Sequence, residues 1–554
     1  MKTTRLKEAF LHLSQNSVDS VQNGKSFTEW DKYMHVERPI ENKLCKVMKE
    51  IDDAGGGIIL LVGSAGDGKS HLLSRIRQIS DWGDNCFYND ATASSSPKKT
   101  AIETLKEALV DYRDINLYKT SNKLVLAINL GKLNALIDDD DFKADYKEIV
   151  KSTWPIFDDD DTTPSIDTER VKVVMFVDIQ PFEFHIDATN YKVESEFLSA
   201  IMERIVKRNN ANPFYSAYLD DISNEIDVKD PVILNYELLS IPEVRNCIVM
   251  TIIEAIIRFK IIITPREFLD FLYSIMVYPK EYNGKKDFYE ALLPTLLYCG
   301  SMNMIQKAIS RLDPLKQSST EHDKQLSVLF TSYSIPKNYF GVHQQGLLPK
   351  GLINRINEFY SNNGRDIERT TKFVFRLKHL LSYHTESEVY SSYLDILNGI
   401  YREDIHKMQE IYDMVAKAIP RHYGSYYEKA NMIPLNIQGG CYRLFGNLKL
   451  EPERIKPYFL GTDSNEFLLR FDMSWKFPDS SVKLRMDYQL YSYLYELNRG
   501  KLALSYENEK DLIFSRFVRQ LVEKCNCKQE ITVVRTDSPE IQLKESSFGN
   551  IELL

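Results

Sequence analysis

Eight consecutive residues, Gly63-Ser64-Ala65-Gly66-Asp67-Gly68-Lys69-Ser70, have the composition and spacing of a polyphosphate cradle. Glycines at these places let backbone N–H groups turn inward around a phosphate chain. Lys69 is long enough to reach the β- and γ-phosphates, and the Ser70 hydroxyl is placed to ligate Mg²⁺. His71 follows directly, so the expected contact set for ATP runs from Gly63 to His71. A glycine-rich turn that only joined two buried elements would need neither the lysine nor the serine after its last glycine.

Hydrolysis asks for more. A carboxylate at the end of a second strand has to hold Mg²⁺, usually through water, and a further group has to orient the attacking water. Asp178, after Val173-Val174-Met175-Phe176-Val177, fits the first role, and a strand-end residue that starts a turn is its alternative reading. Its neighbour is Ile179 rather than a second acid, so Glu183 or Asp90 would have to serve as base, and Asp90 is also a candidate metal ligand beside Ser70 and Asp178. Asn129 has two roles open to it: a hydrogen bond to the water or the γ-phosphate, or a cap on the following helix. Arg266, in Thr264-Pro265-Arg266-Glu267-Phe268, stands where a helix start could fold over the γ-phosphate; an ordinary ion pair at a helix start is the competing account.

These groups need an open parallel sheet to bring them together. The apolar run Ile58–Val62 predicts a buried strand leading into the loop, and Leu72, Leu73, Ile76 and Ile79 predict a helix leaving it, whose N-terminal donors and dipole would face the nucleotide. Cys86–Asp90, Lys123–Leu130 and Val171–Asp178 read as further strands, and a helix with Ala101, Leu105, Ala108, Leu109 and Tyr112 lies between two of them. Strands alternating with helices imply parallel βαβ units, with the ligand beyond the carboxyl ends of the strands, where Asp90, Asn129 and Asp178 would emerge.

The chain has 554 residues, more than one ordinary core accommodates. Five segments are expected: a helical lead-in over 1–52, a P-loop NTPase α/β core over 53–195 (a parallel sheet flanked by helices), a helical lid over 196–300, a helical middle region over 301–440, and a small C-terminal α+β domain over 441–554. In the last, Phe467–Phe471 and the alternation Val482, Leu484, Met486, Tyr488 suggest strands. A helix carries Leu512, Ile513, Phe517, Leu521 and Val522, and Ile531–Val534 should pair with Ile541–Leu543 across Asp537-Ser538-Pro539.

Composition narrows the setting. With 43 % hydrophobic and 27 % charged residues the chain is globular in character. Cys247–Ile263 is its most apolar stretch, yet Glu254, Arg258 and Lys260 interrupt it, so a core helix is expected and no membrane span. Seven scattered cysteines make no disulfide framework, and a cytoplasmic location is expected. The net charge of −9 opposes bulk adhesion to nucleic acid, so any DNA contact has to come from a local patch or a partner. The acidic runs Asp138–Asp141 and Asp158–Asp161 read as solvated loops. Asp537, Gln542 and Lys544 loosely resemble a metal-dependent nuclease set, but an exposed hairpin explains them without metal.

The loop Gly63–Ser70, together with Tyr88-Asn89-Asp90-Ala91-Thr92-Ala93-Ser94, Pro97–Leu105, Leu126–Gly131 and Asn212-Pro213-Phe214-Tyr215-Ser216-Ala217-Tyr218, resembles the DptF family. The likeness extends to Thr264–Tyr273 and Asn498-Arg499-Gly500. DptF is the P-loop component of the phosphorothioation-dependent DNA restriction system. The resemblance implies a bacterial defence protein that works with DptG and DptH against DNA lacking phosphorothioate marks, and it carries over residue by residue only to Gly63, Gly68, Lys69 and Ser70. The function expected is an ATP-binding, ATP-hydrolysing subunit that controls the complex through nucleotide-driven motion and meets DNA through its partners, with self-assembly into an oligomer left open. A scaffold that holds nucleotide without turnover is the alternative of a different class; a nuclease is the third.

Overall fold

A computed structural model of the chain describes residues 4–22, 28–64, 66–89, 101–154, 167–176, 185–186, 193–223, 230–317, 319–332, 334–361, 366–385, 387–422, 432–435, 442–448, 450–456, 470–478, 480–501, 509–525, 530–535, 538–545 and 551–553. The chain divides into two compact units, Met1–Glu183 with Glu194–His384, and Phe184–Val193 with Thr385–Leu554. The change of unit at His384–Thr385 falls inside the stretch expected as one helical region over 301–440.

At the centre of the first unit lies a four-stranded parallel sheet of β1 (Gly57–Gly63), β2 (Phe87–Asn89), β3 (Lys123–Asn129) and β4 (Val171–Met175), in the order β2-β3-β1-β4. Every residue of β1 is buried, because the pleat sends alternate side chains into two separate cores. Ile58, Leu60 and Val62 join Leu126, Ile128 and Val173 against Leu105, Leu133 and Phe142. Ile59 and Leu61 join Val125 and Val174 against Leu44 and Ile51 of the helix Pro39–Asp53 and Leu72 and Ile76 of the helix Lys69–Ile79. Each such side chain favours folding by about 1.5–3 kcal/mol. Ile79, expected on the same helical face, is 48 % exposed; it is the last residue of that helix, and Ile76 is the last of the four to be buried.

The rest of this unit is helical, including Glu196–Val206, Pro213–Ser223, Pro231–Leu239, Pro242–Phe259 and Pro265–Met276. Asn235 ties three segments together from inside: its amide donates to the carbonyls of Met276 and Ala291, both at 3.0 Å, and accepts from Leu293 N–H at 2.7 Å. Within Pro242–Phe259, Glu254 is buried but paired, with Arg258 Nη1 at 2.7 Å and the Tyr383 hydroxyl at 2.6 Å. No helix among the described residues is long and apolar enough to cross a membrane.

His379 sits between the rings of Tyr298 and Tyr383 and faces the charges of His322, His384 and Asp313. Burial, with the two histidines adding, pushes its pKa down to about 4 from an ordinary 6.5. The unfolded chain therefore takes up this proton first as pH falls. Stability is full above the unfolded value, declines below it, and should lose of order 2–3 kcal/mol by pH 4. Urea melts at neutral pH and near pH 4.5 should show a smaller loss in His379→Leu than in the wild type; an identical loss would show that this ring does not drive it.

The second unit combines the helices Glu388–Tyr401, Ile405–His422, Tyr488–Asn498 and Glu509–Cys525 with a three-stranded and a five-stranded antiparallel sheet. In the hairpin Phe471–Phe477/Ser480–Met486, one face is buried around Trp475, whose ring lies 5.1 Å from Tyr412 and 4.9 Å from Phe517. Of the strand expected over 467–471, residues 467–469 lie outside the described residues, and the observed strand starts at Phe471. Val482, Leu484 and Met486 point inward as expected, but Tyr488 begins a helix, because the Asp487 carboxylate accepts Leu490 N–H at 2.8 Å and caps it. Ile531, Thr532 and Val533 pair with Leu543, Gln542 and Ile541. On that hairpin Lys544 lies 3.8 Å from Glu530, a cross-strand ion pair, while Asp537 lies outside the described residues.

Candidate functional site

All four parallel strands deliver their carboxyl ends to one edge of the sheet, and β1 runs there straight into Gly63–Ser70. Gly66 and Gly68 have φ of +91° and +94°, values that turn the main chain back on itself and that L side chains rarely adopt. Within the curl the Asp67 carboxylate accepts Ser64 N–H at 2.5 Å, and Lys69 Nζ donates to the Ser64 carbonyl at 2.5 Å. The helix Lys69–Ile79 then starts with no capping side chain, which leaves its first-turn N–H groups without an intrahelical or side-chain acceptor at the cap. Ser70 Oγ accepts from the Asn89 amide, at the end of β2, at 2.9 Å. Ala65 lies outside the described residues.

The charged groups of the loop are buried. Burial lowers the pKa of Lys69, with Asp67 pulling the other way. Burial raises that of Asp67 against the Ser64 N–H, Lys69 and Arg38, and the charge of Glu267 adds to the rise. His71 is turned away from the loop toward a polar cluster: its Nε2 lies 3.1 Å from His35 Nδ1, His35 Nε2 lies 3.0 Å from Glu41, and Arg75 faces the other Glu41 oxygen at 3.6 Å. Burial, then His35, pushes His71 down to about 4, so its ring is neutral at physiological pH. Burial alone would raise Glu41, but the hydrogen bond and charge of His35, with Arg75, bring it below the ordinary carboxylate value.

Asn129 closes β3 directly opposite Gly63 in the strand register. It stands at the start of the helix Leu130–Asp138 but makes no side-chain cap bond, so the capping role does not account for it. Arg266 lies in the first turn of Pro265–Met276, a helix whose cap touches the loop, and it forms no ion pair among the described residues. Asp178, Asp90 and Glu183 lie outside the described residues. Among the described residues no cluster of three His, Cys, Asp or Glu side chains is arranged to hold a metal ion, which leaves Ser70 as the described candidate ligand.

Several neighbours were not singled out from the sequence. Arg38 Nη1 donates to the Asp67 carbonyl at 3.1 Å, and its guanidinium lies over Phe176 and Phe197, 5.2 Å and 5.8 Å from the ring centroids. Thr264 caps its helix through a reciprocal bond with Glu267 and also packs on the loop: a Cβ on Gly66 would meet Thr264 Oγ1 at 2.9 Å. Thr264 carried a readable cap signal; Arg38, before a proline, carried none.

Gly66→Ala therefore combines a left-handed backbone with a clash against a helix cap, and should cost at least about 1–2 kcal/mol of stability. Gly131→Ala is the control, since its Cβ would meet nothing within 4 Å and it lies in a helix, where alanine is favoured by about 0.5–1 kcal/mol. Denaturant melts of the two variants should move in opposite directions.

No family model, curated protein or solved structure matches this chain.

Proposed function

We propose that the first unit is a P-loop NTPase-type core that binds Mg·ATP, with Gly63–Ser70 as the phosphate loop and the helices that follow as its lid. One observation carries the reading: the GSAGDGKS loop leaves the buried β1 of a parallel sheet and enters the uncapped helix Lys69–Ile79, with Lys69 folded along its inner edge. In the loop an anion would be met by main-chain N–H groups, by the Lys69 ammonium and by the dipole of the helix start. Ser70 would hold Mg²⁺, which supplies charge neutralisation at the β- and γ-phosphates when bound; Asp178 and Asp90 are the proposed carboxylates toward it. Asn129 is proposed to orient the attacking water, and Arg266 to report the γ-phosphate to the helical layer.

Following the resemblance of the sequence, this core is proposed to serve a phosphorothioation-dependent restriction complex with DptG and DptH in the bacterial cytoplasm, meeting DNA through the complex. A second reading has an observation of its own. The strand end paired with Gly63 carries an amide, Asn129, where a hydrolysing site gains from a carboxylate, which favours nucleotide held with little turnover. Calorimetric titration of the purified chain with Mg·ATP tests binding, and phosphate release with and without DNA separates the readings. Heat with phosphate release supports an ATPase, and heat without it a nucleotide-bound scaffold; no heat overturns both.

A further inference from the structure

Arg38 precedes the sheet by a whole helix, belongs to no recognisable motif, and yet is anchored on the loop. Its Nη1 donates to the Asp67 carbonyl at 3.1 Å, and a Cβ on Gly68 would meet its Nη2 at 2.9 Å. The guanidinium is held from behind by Phe176, just after β4, and by Phe197, in the helix Glu196–Val206. A planar cation against two ring faces is an arrangement in which arginine is not replaceable by lysine without loss.

The peptide between Asp67 and Gly68 is trans, as are the other described peptides, so its carbonyl and its N–H point to opposite sides. Fixing the Asp67 oxygen on Arg38 thus turns Gly68 N–H away from the guanidinium. That N–H stands immediately before the open first-turn donors of Lys69 and Ser70. At φ +94° Gly68 has no side chain to restrict this peptide plane, so an outside hydrogen bond has to define it.

We infer that Arg38 is a positioning residue of the loop: by holding the Asp67 carbonyl outward it aims the Gly68 N–H, and through it the donor run at the helix start, at the phosphates of the nucleotide. The inference rests on the nucleotide-binding reading above and adds to it a residue from outside the motif. It also makes the aromatic pair Phe176 and Phe197 the seat of that arginine, so that the end of β4 and the first lid helix are both joined to the phosphate site.

The test is a calorimetric titration of the full chain with Mg·ATP, run on the wild type, Arg38→Ala, Arg38→Lys and Lys69→Ala, each with its melting temperature. Arg38→Ala should bind about tenfold or more weakly, as expected for one lost charge-assisted hydrogen bond. Millimolar guanidinium ion, far below denaturing levels, should restore part of the affinity by refilling the seat. Arg38→Lys, which keeps a donor and the charge but not the planar fork, should fall between wild type and alanine. The amide resonance of Gly68 in glycine-labelled protein should shift on adding Mg·ATP to the wild type and not to Arg38→Ala.

Unchanged affinity in Arg38→Ala overturns the inference. So does weakening that guanidinium does not relieve and that Arg38→Lys shares in full, because a merely structural loss would behave that way. Should Arg38→Ala not fold, the lysine variant and the Gly68 resonance decide alone: wild-type affinity and an unaltered Gly68 shift in Arg38→Lys would overturn it. Wild-type binding that Lys69→Ala abolishes keeps the nucleotide reading whatever Arg38 does; a wild type that takes up no Mg·ATP removes the reading and the inference together.

Discussion

Lys69→Ala should weaken Mg·ATP binding by about a hundredfold or more and abolish any phosphate release, with little change in melting temperature. A hydrogen bond to a charged partner contributes about 1.5–3 kcal/mol, and a lysine spanning two phosphates supplies two, which places the loss at or beyond two decades. The stability half of the expectation follows from the surroundings of Lys69. Lys69 is 8 % exposed, and burial holds its pKa below the ordinary lysine value of 10.5. A lysine depressed in the folded state is a cost that is fully present below its folded pKa and that fades as pH rises through the folded value toward the unfolded one. Removing the ammonium relieves that cost but also takes a neighbouring cation from Asp67, which keeps Arg38. The two effects oppose each other, so a binding loss with a steady melting temperature is the result to look for. Retained affinity in Lys69→Ala would show that the loop does not hold the phosphates. A large drop in melting temperature would show that Lys69 serves the fold instead.

The loop and its strand were readable because their signals are local. A continuous apolar run before the glycines means burial on both faces, and β1 is buried on both faces for that reason. Pro265 marked a helix start, and the helix Pro265–Met276 begins there, with Thr264 and Glu267 bonded reciprocally at its cap. What failed to show was whatever depends on distant chain. The sheet order places β3 beside β1 and so sets Asn129 against Gly63, and no periodicity in either strand encodes that choice. Arg38 works through a main-chain carbonyl 29 positions away, a contact that leaves no trace in residue type at the accepting end. For Tyr488 the reason is local: the two-residue alternation of Val482, Leu484 and Met486 ends at Asp487, whose carboxylate starts a helix. On Glu509–Cys525 the expected apolar face was a little out of phase, since Phe514, Phe517, Val518 and Leu521 are buried while Leu512 and Ile513 are exposed, at 67 % and 45 %.

The largest loss of stability from one substitution in the helical part of the first unit should come from Arg376→Ala. Arg376, in the helix Ile367–Leu381, meets Asp313 as a two-point fork, Nε to Oδ1 at 3.1 Å and Nη2 to Oδ2 at 2.7 Å, with both side chains almost wholly buried. Burial acts to lower the Arg376 pKa, but the hydrogen bond and charge of Asp313 outweigh it and raise the net value, so the guanidinium keeps its charge. Asp313 also accepts Leu315 N–H at 3.2 Å and so starts the turn Pro314–Lys316. Removing the arginine leaves a buried carboxylate without its counter-ion, a change worth about 3–5 kcal/mol. Asp313→Leu combined with Arg376→Met should recover much of that, because a well-filled apolar pair escapes the cost of desolvating two ions, although the lost cap on Pro314–Lys316 keeps the recovery incomplete. Urea melts of the single and double variants separate the two terms: a single-variant cost below about 1 kcal/mol would show that solvent reaches the carboxylate after all. A double variant no better than the single one would show that the fork itself, and not relief of a stranded charge, holds Ile367–Leu381 to the Asp313 turn.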